Sequence, residues 1–185
     1  MKRPGAYDKK GNLICTLTKE DVEKDYLGLS IFQKKGFRLQ DQDAIVEIVL
    51  PEDIRMIGKW AFAYCFSLKT INIPDSVIMI EQGAFNFCVS LRNIQLPSNI
   101  KMFGTSVFSG CESLEEIHIP DGITEISDRL FRDCISLKNV HLPDSLKKIG
   151  EEAFEGCYSL SSINIPNTTE IGFDAFFGCK ELKAC

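Results

Sequence analysis

Residues Ile149 to Pro166 read IGEEAFEGCYSLSSINIP, and versions of this stretch recur through most of the chain. Each copy ends in a proline, and successive prolines are 23 residues apart. The apolar positions repeat only from copy to copy, so one copy cannot bury its own core, whereas stacked copies can. The sequence therefore predicts a solenoid. The proline column is Pro51, Pro74, Pro97, Pro120, Pro143 and Pro166.

Three further columns each hold a single residue type. They keep the 23-residue step until the last copy, which is one residue shorter because of a loss between Pro166 and Ile171. Stacked phenylalanines would lie near the strand spacing of about 4.8 Å, close enough for offset ring contacts. The columns are Phe62, Phe85, Phe108, Phe131, Phe154 and Phe176; Cys65, Cys88, Cys111, Cys134, Cys157 and Cys179; and Leu68, Leu91, Leu114, Leu137, Leu160 and Leu182.

A 23-residue period with the core L-x-x-I-x-I lies in the range of about 20 to 29 residues that leucine-rich repeats occupy. Alternation around the second apolar residue predicts a short strand, and successive copies should form a parallel sheet that each proline ends. On the return side, I-G-x-x-A-F-x-x-C predicts a single helical or 3₁₀ turn. The predicted fold is an α/β repeat solenoid, a right-handed leucine-rich-repeat coil with a short-stranded parallel sheet on the concave face and 3₁₀ or short helical turns on the convex face.

The repeat unit resembles that of the BspA-like family, the bacterial surface-antigen type of leucine-rich repeat. The resemblance rests on I-G-x-x-A-F-x-x-C-x-S-L-x-x-I-x-I-P, which Ile57–Pro74 and Ile149–Pro166 match best, and it covers about residues 45–185. It implies an array of repeats on surface proteins of anaerobic bacteria and some protozoan parasites. Host or matrix proteins are the implied partners, and the cell surface is the implied location.

Residues 1–44 do not carry the repeat. The segment Tyr7–Ile14 predicts a tight turn between two short extended pieces. Thr18 is a suitable N-cap for a helix that Gly36 would end. We interpret this segment as an N-terminal cap, a hairpin-like piece plus one helix, because about forty residues are marginal for a separate interaction module. About six repeats, the last one truncated, occupy residues 45–185. The apolar positions at helical spacing are Val22, Tyr26 and Leu29.

The composition excludes several classes of protein. The net charge is −5, the pI is near 5.1, and no Lys/Arg cluster exceeds two or three residues, whereas nucleic-acid binding needs a concentrated basic face. No run reaches the roughly 18 apolar residues needed to cross a bilayer, so membrane insertion is not expected. The start of the chain, Met1 to Asp8, has no apolar segment behind its basic residues, which predicts no signal peptide and indicates an intracellular location.

Eight cysteines would suit a disulfide framework, but six of them form one column. Disulfides require Cβ atoms about 3.8 Å apart, whereas side chains stacked in parallel lie about one strand spacing apart. A zinc site would need spacings such as C-x₂-C, which the sequence lacks. We predict a column of small buried thiols, with Cys15 and Cys185 outside it. On the convex side, Glu81, Glu151, Glu152 and Glu155 are predicted to form a solvated face.

The outward-facing strand residues should line the concave face, and most are amides, hydroxyls or imidazoles. The register places His118 and His141 on adjacent strands, with rings within about 5 to 6 Å of each other. A surface metal or an acid–base pair with the nearby Glu116 would need a further ligand or an oriented supporting group, and neither is evident. We therefore predict two solvated histidines and assign no metal, cofactor or catalytic residue. The predicted binding face is Thr70, Asn72, Asn93, Gln95, Glu116, His118, Asn139, His141, Ser162 and Asn164.

These observations favour a non-enzymatic scaffold that recognises a protein or a glycan on its concave face. The alternative is a structural or self-assembling array, because the sequence stops within a seventh strand at Cys185 and self-association through this C-terminal end would cover it. A metal-dependent enzyme is the least favoured interpretation, since no glycine-rich phosphate loop, G-x-S-x-G or H-E-x-x-H is present.

Overall fold

The computed structural model describes residues 2–23 and 30–182, so Tyr26 and Leu29 of the predicted helix lie outside the described residues. The chain winds into a solenoid of about five turns with parallel sheets. The helices are α1 (Lys19–Glu23) and α2 (Ile31–Lys34), followed by a 3₁₀ segment at Leu39–Ala44. In chain order the strands are β1 (Gly5–Tyr7), β2 (Leu13–Thr16), β3 (Glu47–Val49), β4 (Met56–Ile57), β5 (Thr70–Asn72), β6 (Met79–Ile80), β7 (Met102–Phe103), β8 (Glu116–His118), β9 (Glu125–Ile126), β10 (Asn139–His141), β11 (Lys148–Ile149), β12 (Ser162–Ile163) and β13 (Glu170–Ile171).

The strands after the leucine column form the predicted parallel sheet in two parts. β3 pairs with β5, and β10 lies between β8 and β12. The register joins residues one repeat apart, as in Ile48 and Ile71, so equivalent side chains stack on the same side. β1 and β2 form an antiparallel hairpin that extends the first part beyond β3. The parallel sheet expected from the repeat is confirmed.

The strands that follow the leucine column and the strands on the opposite, return side are both interrupted at the third coil. Residues 91–97 form no strand, although their sequence keeps the repeat pattern. On the opposite side, β7 and β9 belong to different sheets. At this coil Phe103 stands where the other coils have isoleucine, and its ring centroid lies 6.3 Å from that of Phe108. The interruption thus coincides with a larger side chain in the core column.

A second row of two-residue strands, not expected from the sequence, runs along the return side. After each of them the chain turns, but not as the expected helical or 3₁₀ turn. In the first coil Trp60 and Tyr64 have positive φ values of 59° and 63°. Left-handed residues four positions apart cannot belong to a right-handed helix. The same two positions have positive φ in the later coils, at Gly83 and Phe87, Ser106 and Gly110, Arg129 and Asp133, Glu152 and Gly156, and Asp174 and Gly178.

Backbone hydrogen bonds join these turns, and all of them run in one direction. The N–H groups of Trp60, Phe62 and Tyr64 donate to carbonyls of the next coil at 2.8 to 2.9 Å. The residues between them donate within their own coil, as Ala63 does to Trp60. The following coils repeat this arrangement as far as Gly156. Each of these turns therefore donates to the turn that follows it, whereas outside the turns the bond can run the other way, as from the N–H of Gly104 to the carbonyl of Ile80.

The phenylalanine column forms a continuous stack in the core. From Phe62 to Phe176, neighbouring ring centroids lie 5.3 to 5.6 Å apart and neighbouring planes lie within 22° of parallel. This confirms the predicted ring contacts. Phe32 of α2 adds a tilted ring with its centroid 6.2 Å from that of Phe62.

The cysteine column is buried as far as Cys157 and half-buried at Cys179, which confirms that it fills the core wall. Its thiols also make a contact that the sequence does not reveal. From Cys88 onward, each Sγ donates to the phenylalanine carbonyl of the preceding coil at 3.1 to 3.3 Å. Cys65 follows no such coil, and its Sγ contacts Oε1 of Gln42 at 3.9 Å instead.

The segment before the repeats contacts the first coil through backbone and core. The N–H of Ile31 donates to the carbonyl of Ala61, and the N–H of Gly58 donates to the carbonyl of Val22, both at 2.8 Å. Val22 and Ile31 are fully buried in the same core as the repeats. Where one helix was expected from Thr18 to Gly36, the described residues hold α1 at Lys19–Glu23 and a separate α2 that begins after Ser30, whose extended backbone and side-chain oxygen cap it. Neither helix has the length or the apolar content to span a membrane.

Candidate binding face

All ten residues of the predicted binding face are exposed. Strand β8 shows why: its central Ile117 is buried, whereas Glu116 and His118 on either side are exposed. Successive side chains of a strand point to opposite sides, so the buried column fixes which residues face the solvent. Asn93 and Gln95 lie in the third coil, where no strand forms, and they are exposed as well.

Two shallow depressions lie along the strands. One, of about 510 Å³, is lined by Lys69, Arg92, Glu115 and several serines, and Arg92 Nη2 lies 2.7 Å from Glu115 Oε1. The other, of about 440 Å³, is lined by His141 and Asn164 among others. The sequence places Lys69, Arg92 and Glu115 in a further column of this face, at the entry to the strands, but it did not lead us to assign the serines of the first depression to the face. The signal was available, since the serines keep the repeat period at Ser67, Ser90, Ser113, Ser136 and Ser159.

Glu116, His118 and His141 form one cluster on the face. The register pairs His118 with His141, which confirms the predicted placement on adjacent strands. Their rings are stacked with centroids 3.8 Å apart and planes 6° from parallel. Oε1 of Glu116 lies 2.9 Å from Nε2 of His141 and 3.3 Å from Nε2 of His118. The carboxylate is thus directed at both imidazoles, an arrangement that the sequence alone does not indicate.

Electrostatics within the cluster favour an ionised carboxylate. The hydrogen bond with His141 lowers the pKa of Glu116 below its ordinary value, and the contact with His118 acts in the same direction. An ionised carboxylate beside two imidazole nitrogens can accept hydrogen bonds, attract a cation or serve as a metal ligand.

The convex acids do not all form the solvated face that the sequence predicted. Glu152 Oε2 lies 2.8 Å from Arg129 Nε and 2.8 Å from Arg132 Nη1, while Oε2 of Glu155 lies 3.2 Å from Arg132 Nε. The hydrogen bond from Arg129 lowers the pKa of Glu152. Stacking places arginines of one coil against acids of the next, so these residues form a structural ion-pair network.

The last described coil exposes three large apolar side chains, Ile171, Phe173 and Phe177. In earlier coils, the N–H groups equivalent to those of Asp174, Phe176 and Gly178 donate to a following coil. Among the residues that the structure describes, these three N–H groups have no such acceptor. This end of the described solenoid therefore combines exposed apolar surface with available backbone donors.

Sequence and structure comparisons agree on the repeat. The profile of the BspA type leucine rich repeat region matches residues 33–160 and 104–185, with six copies. The chain is similar to a leucine-rich repeat protein of T. pallidum, with 38% identity and a TM-score of 0.74 over 76% of this chain and 66% of that one. It is also similar to a leucine rich cell surface protein of Faecalibacterium prausnitzii, with 36% identity and a TM-score of 0.71 over 76% of this chain and 38% of that one.

A leucine-rich repeat protein of Eubacterium ventriosum shares the fold with a TM-score of 0.52 and 25% identity, over 72% of this chain and 42% of that one. This chain thus spans less than two thirds of each of these proteins. A search of curated proteins found no match. The profile matches extend from residue 33 to residue 185, and the solenoid, its stacked phenylalanines and its cysteine column follow the same unit. The chain belongs to the BspA-type leucine-rich repeat family.

Proposed function

We propose that the chain is a non-enzymatic recognition scaffold that binds a protein through its concave face. Repeat scaffolds of this kind commonly bind proteins and are generally non-enzymatic. The observation that carries the proposal is the exposure of ten polar residues from five successive coils on one side of the strands, while the side chains between them are buried.

The chemistry of this face favours a partner that forms many hydrogen bonds. Five of the ten residues are Asn or Gln, whose amides both donate and accept. None is Trp, Tyr or Phe, so the face offers no such ring to stack against a sugar. A polypeptide, whose backbone presents donors and acceptors along its whole length, is therefore the favoured partner. A glycan is the other outcome of the test.

The test begins by probing the purified chain against a panel of matrix proteins and a glycan array. The affinity of the best ligand is then measured for the triple variant Asn72→Ala, Gln95→Ala, Asn164→Ala. We expect binding at least about tenfold weaker, or ~1.4 kcal/mol, with unchanged thermal unfolding because the three side chains are exposed.

The matched control is Gln82→Ala, Thr124→Ala, Lys147→Ala, three exposed residues outside the face. This variant should bind like the unmodified chain. Unaltered affinity in the face variant, or an equal loss in both variants, would contradict the proposal. Tight binding to a glycan alone would reassign the partner.

Self-association through the last described coil is a second candidate function. The observation that favours it is the exposure of Phe173 and Phe177, at 73% and 65%, beside backbone donors available for a partner. Light scattering over a dilution series should show concentration-dependent association that Phe173→Ser with Phe177→Ser abolishes. Phe87→Ser, an exposed aromatic in another coil, is the control. A monomer at every concentration would eliminate this candidate.

A further inference from the structure

We propose that Glu116, His118 and His141 form a Zn²⁺-binding site on the concave face. The three residues lie on the neighbouring strands β8 and β10, and each offers one ligand atom. These atoms all lie within 4.8 Å of one another. Within the ranges that the structure describes, no other group of His, Cys, Asp and Glu side chains is as close. The proposal does not depend on the protein-binding function.

The distances fit a zinc ion. Zinc bonds of about 2.0 to 2.2 Å in tetrahedral geometry place ligand atoms roughly 3.3 Å apart. Nε2 of His118 already lies 3.3 Å from Oε1 of Glu116, and Nε2 of His141 lies 2.9 Å from the same oxygen. An ion between them would require His141 and Glu116 to separate only slightly.

The rings must also turn for both nitrogens to bind one ion. A metal binds in the plane of an imidazole, and the stacked planes of His118 and His141 are only 6° from parallel. One ion cannot lie in both planes, so the rings must rotate about their Cβ–Cγ bonds. The side chains are 71% and 53% exposed, so this rotation leaves the core undisturbed.

The donor set selects the type of metal. Two imidazoles and one carboxylate suit zinc and its transition-metal neighbours, whereas magnesium and calcium prefer oxygen ligands only. Three protein ligands leave one position of a tetrahedral ion open to water or to another molecule. The column thiols are poor competitors, because burial raises the pKa of Cys88 and Cys134 well above the ordinary value and keeps them protonated.

The test uses the tag-free full chain with Cys15→Ser and Cys185→Ser, which removes the two thiols outside the column. Zn²⁺ is titrated by calorimetry in a buffer with a non-thiol reductant. We expect one ion per chain. We expect a lower Zn²⁺ affinity in each of the variants His118→Ala, His141→Ala and Glu116→Gln. The loss should exceed the roughly 10- to 100-fold decrease in affinity that follows removal of a residue that only supports a metal ligand.

The matched control is Glu115→Gln, which removes a neighbouring carboxylate that pairs with Arg92 and lies outside the cluster. It should keep the affinity. Imidazole NMR gives a second readout, because His118 and His141 are the only histidines and both should shift together as Zn²⁺ is added. The proposal fails if one-equivalent binding is absent, if it survives in both histidine variants, or if only one imidazole responds.

Discussion

Phe85 and Phe108 stack inside the solenoid with their ring centroids 5.6 Å apart and their planes 2° from parallel. The two rings come from successive coils, 23 residues apart in the sequence. Neither coil could bury its own ring, because the neighbouring ring provides the contact surface. Stability in such a molecule depends on the interfaces between coils as much as on the coils themselves.

Removing one ring from the middle of this stack should be costly. Phe108 is fully buried, and Phe108→Ala would leave a cavity between Phe85 and Phe131. We expect the free energy of unfolding to fall by about 3 to 5 kcal/mol, measured by urea denaturation. Phe173→Ala, at a 73% exposed position, should change it by less than about 0.5 kcal/mol. Similar losses in both variants would show that the stack is not a main source of stability.

The buried thiols should make the fold sensitive to alkali. Burial raises the pKa of Cys111 from an ordinary 9.0 to about 12. A group whose pKa is raised on folding stabilises the fold below its unfolded pKa, and that stabilisation is lost as the pH rises toward the folded value. Stability should therefore decline from about pH 9 upward. Chemical denaturation at several pH values measures this decline.

Cys111→Ala tests the origin of this effect. The variant lacks one buried thiol, so its stability should decline less steeply with pH than that of the unmodified chain. Cys15→Ala is the comparison, since this half-buried thiol lies outside the column. An identical alkaline slope in Cys111→Ala and the unmodified chain would rule out the buried thiol as a cause.

The convex ion-pair network should stabilise the fold at pH values above the pKa of Glu152. The hydrogen bond from Arg129 lowers the pKa of Glu152 below the ordinary 4.5. A lowered carboxyl pKa stabilises the fold above the unfolded value, and the contribution is lost as the pH falls through the folded value. Glu152→Gln should therefore lower stability at neutral pH and flatten its change between about pH 5 and pH 3. Glu151→Gln, the exposed neighbour, should do neither in the same denaturation series.

A buried glutamine links the N-terminal segment to the first repeat. Gln42 is fully buried, and its Oε1 accepts a hydrogen bond of 2.9 Å from Ser30 Oγ and contacts Cys65 Sγ at 3.9 Å. Gln42→Ala leaves both donors without this acceptor, which should cost about 1 to 3 kcal/mol. Gln40→Ala, at an exposed position of the same segment, should be neutral. Thermal unfolding that is equal in the two variants would show that the contact is dispensable.

The fold was predictable because each core position repeats with one period. Phe108 and Cys111 occur in columns whose neighbours lie one coil away, so burial and stacking follow from the spacing. The exposure of Asn72 and His118 follows from the same alternation. Features confined to a single coil could not be predicted from the repeat. One example is the absence of a strand at residues 91–97, in the coil that contains Phe103.

Hydrogen-bond partners were harder to predict than positions. A small buried thiol at Cys88 follows from the sequence, but its acceptor, the carbonyl of Phe62, depends on the separation of the coils. The left-handed backbone at Trp60 and Tyr64 is not predictable from the sequence because bulky residues seldom adopt positive φ. In the same way, the sequence placed Glu116 near the histidines without showing that one carboxylate oxygen meets both rings.

The one-way hydrogen bonds between the turns limit the symmetry of any assembly that joins the turn of the last described coil to a partner. Phe176 and its neighbours present N–H groups there, so two copies meeting face to face about a two-fold axis would set donor against donor. At this turn a partner must instead bring a row of carbonyl oxygens, as the turn of a following coil does in the earlier coils. Contacts between unlike surfaces close into a ring only at particular rotations and otherwise continue as a filament. An assembly through this end would therefore be polar, with two distinguishable ends.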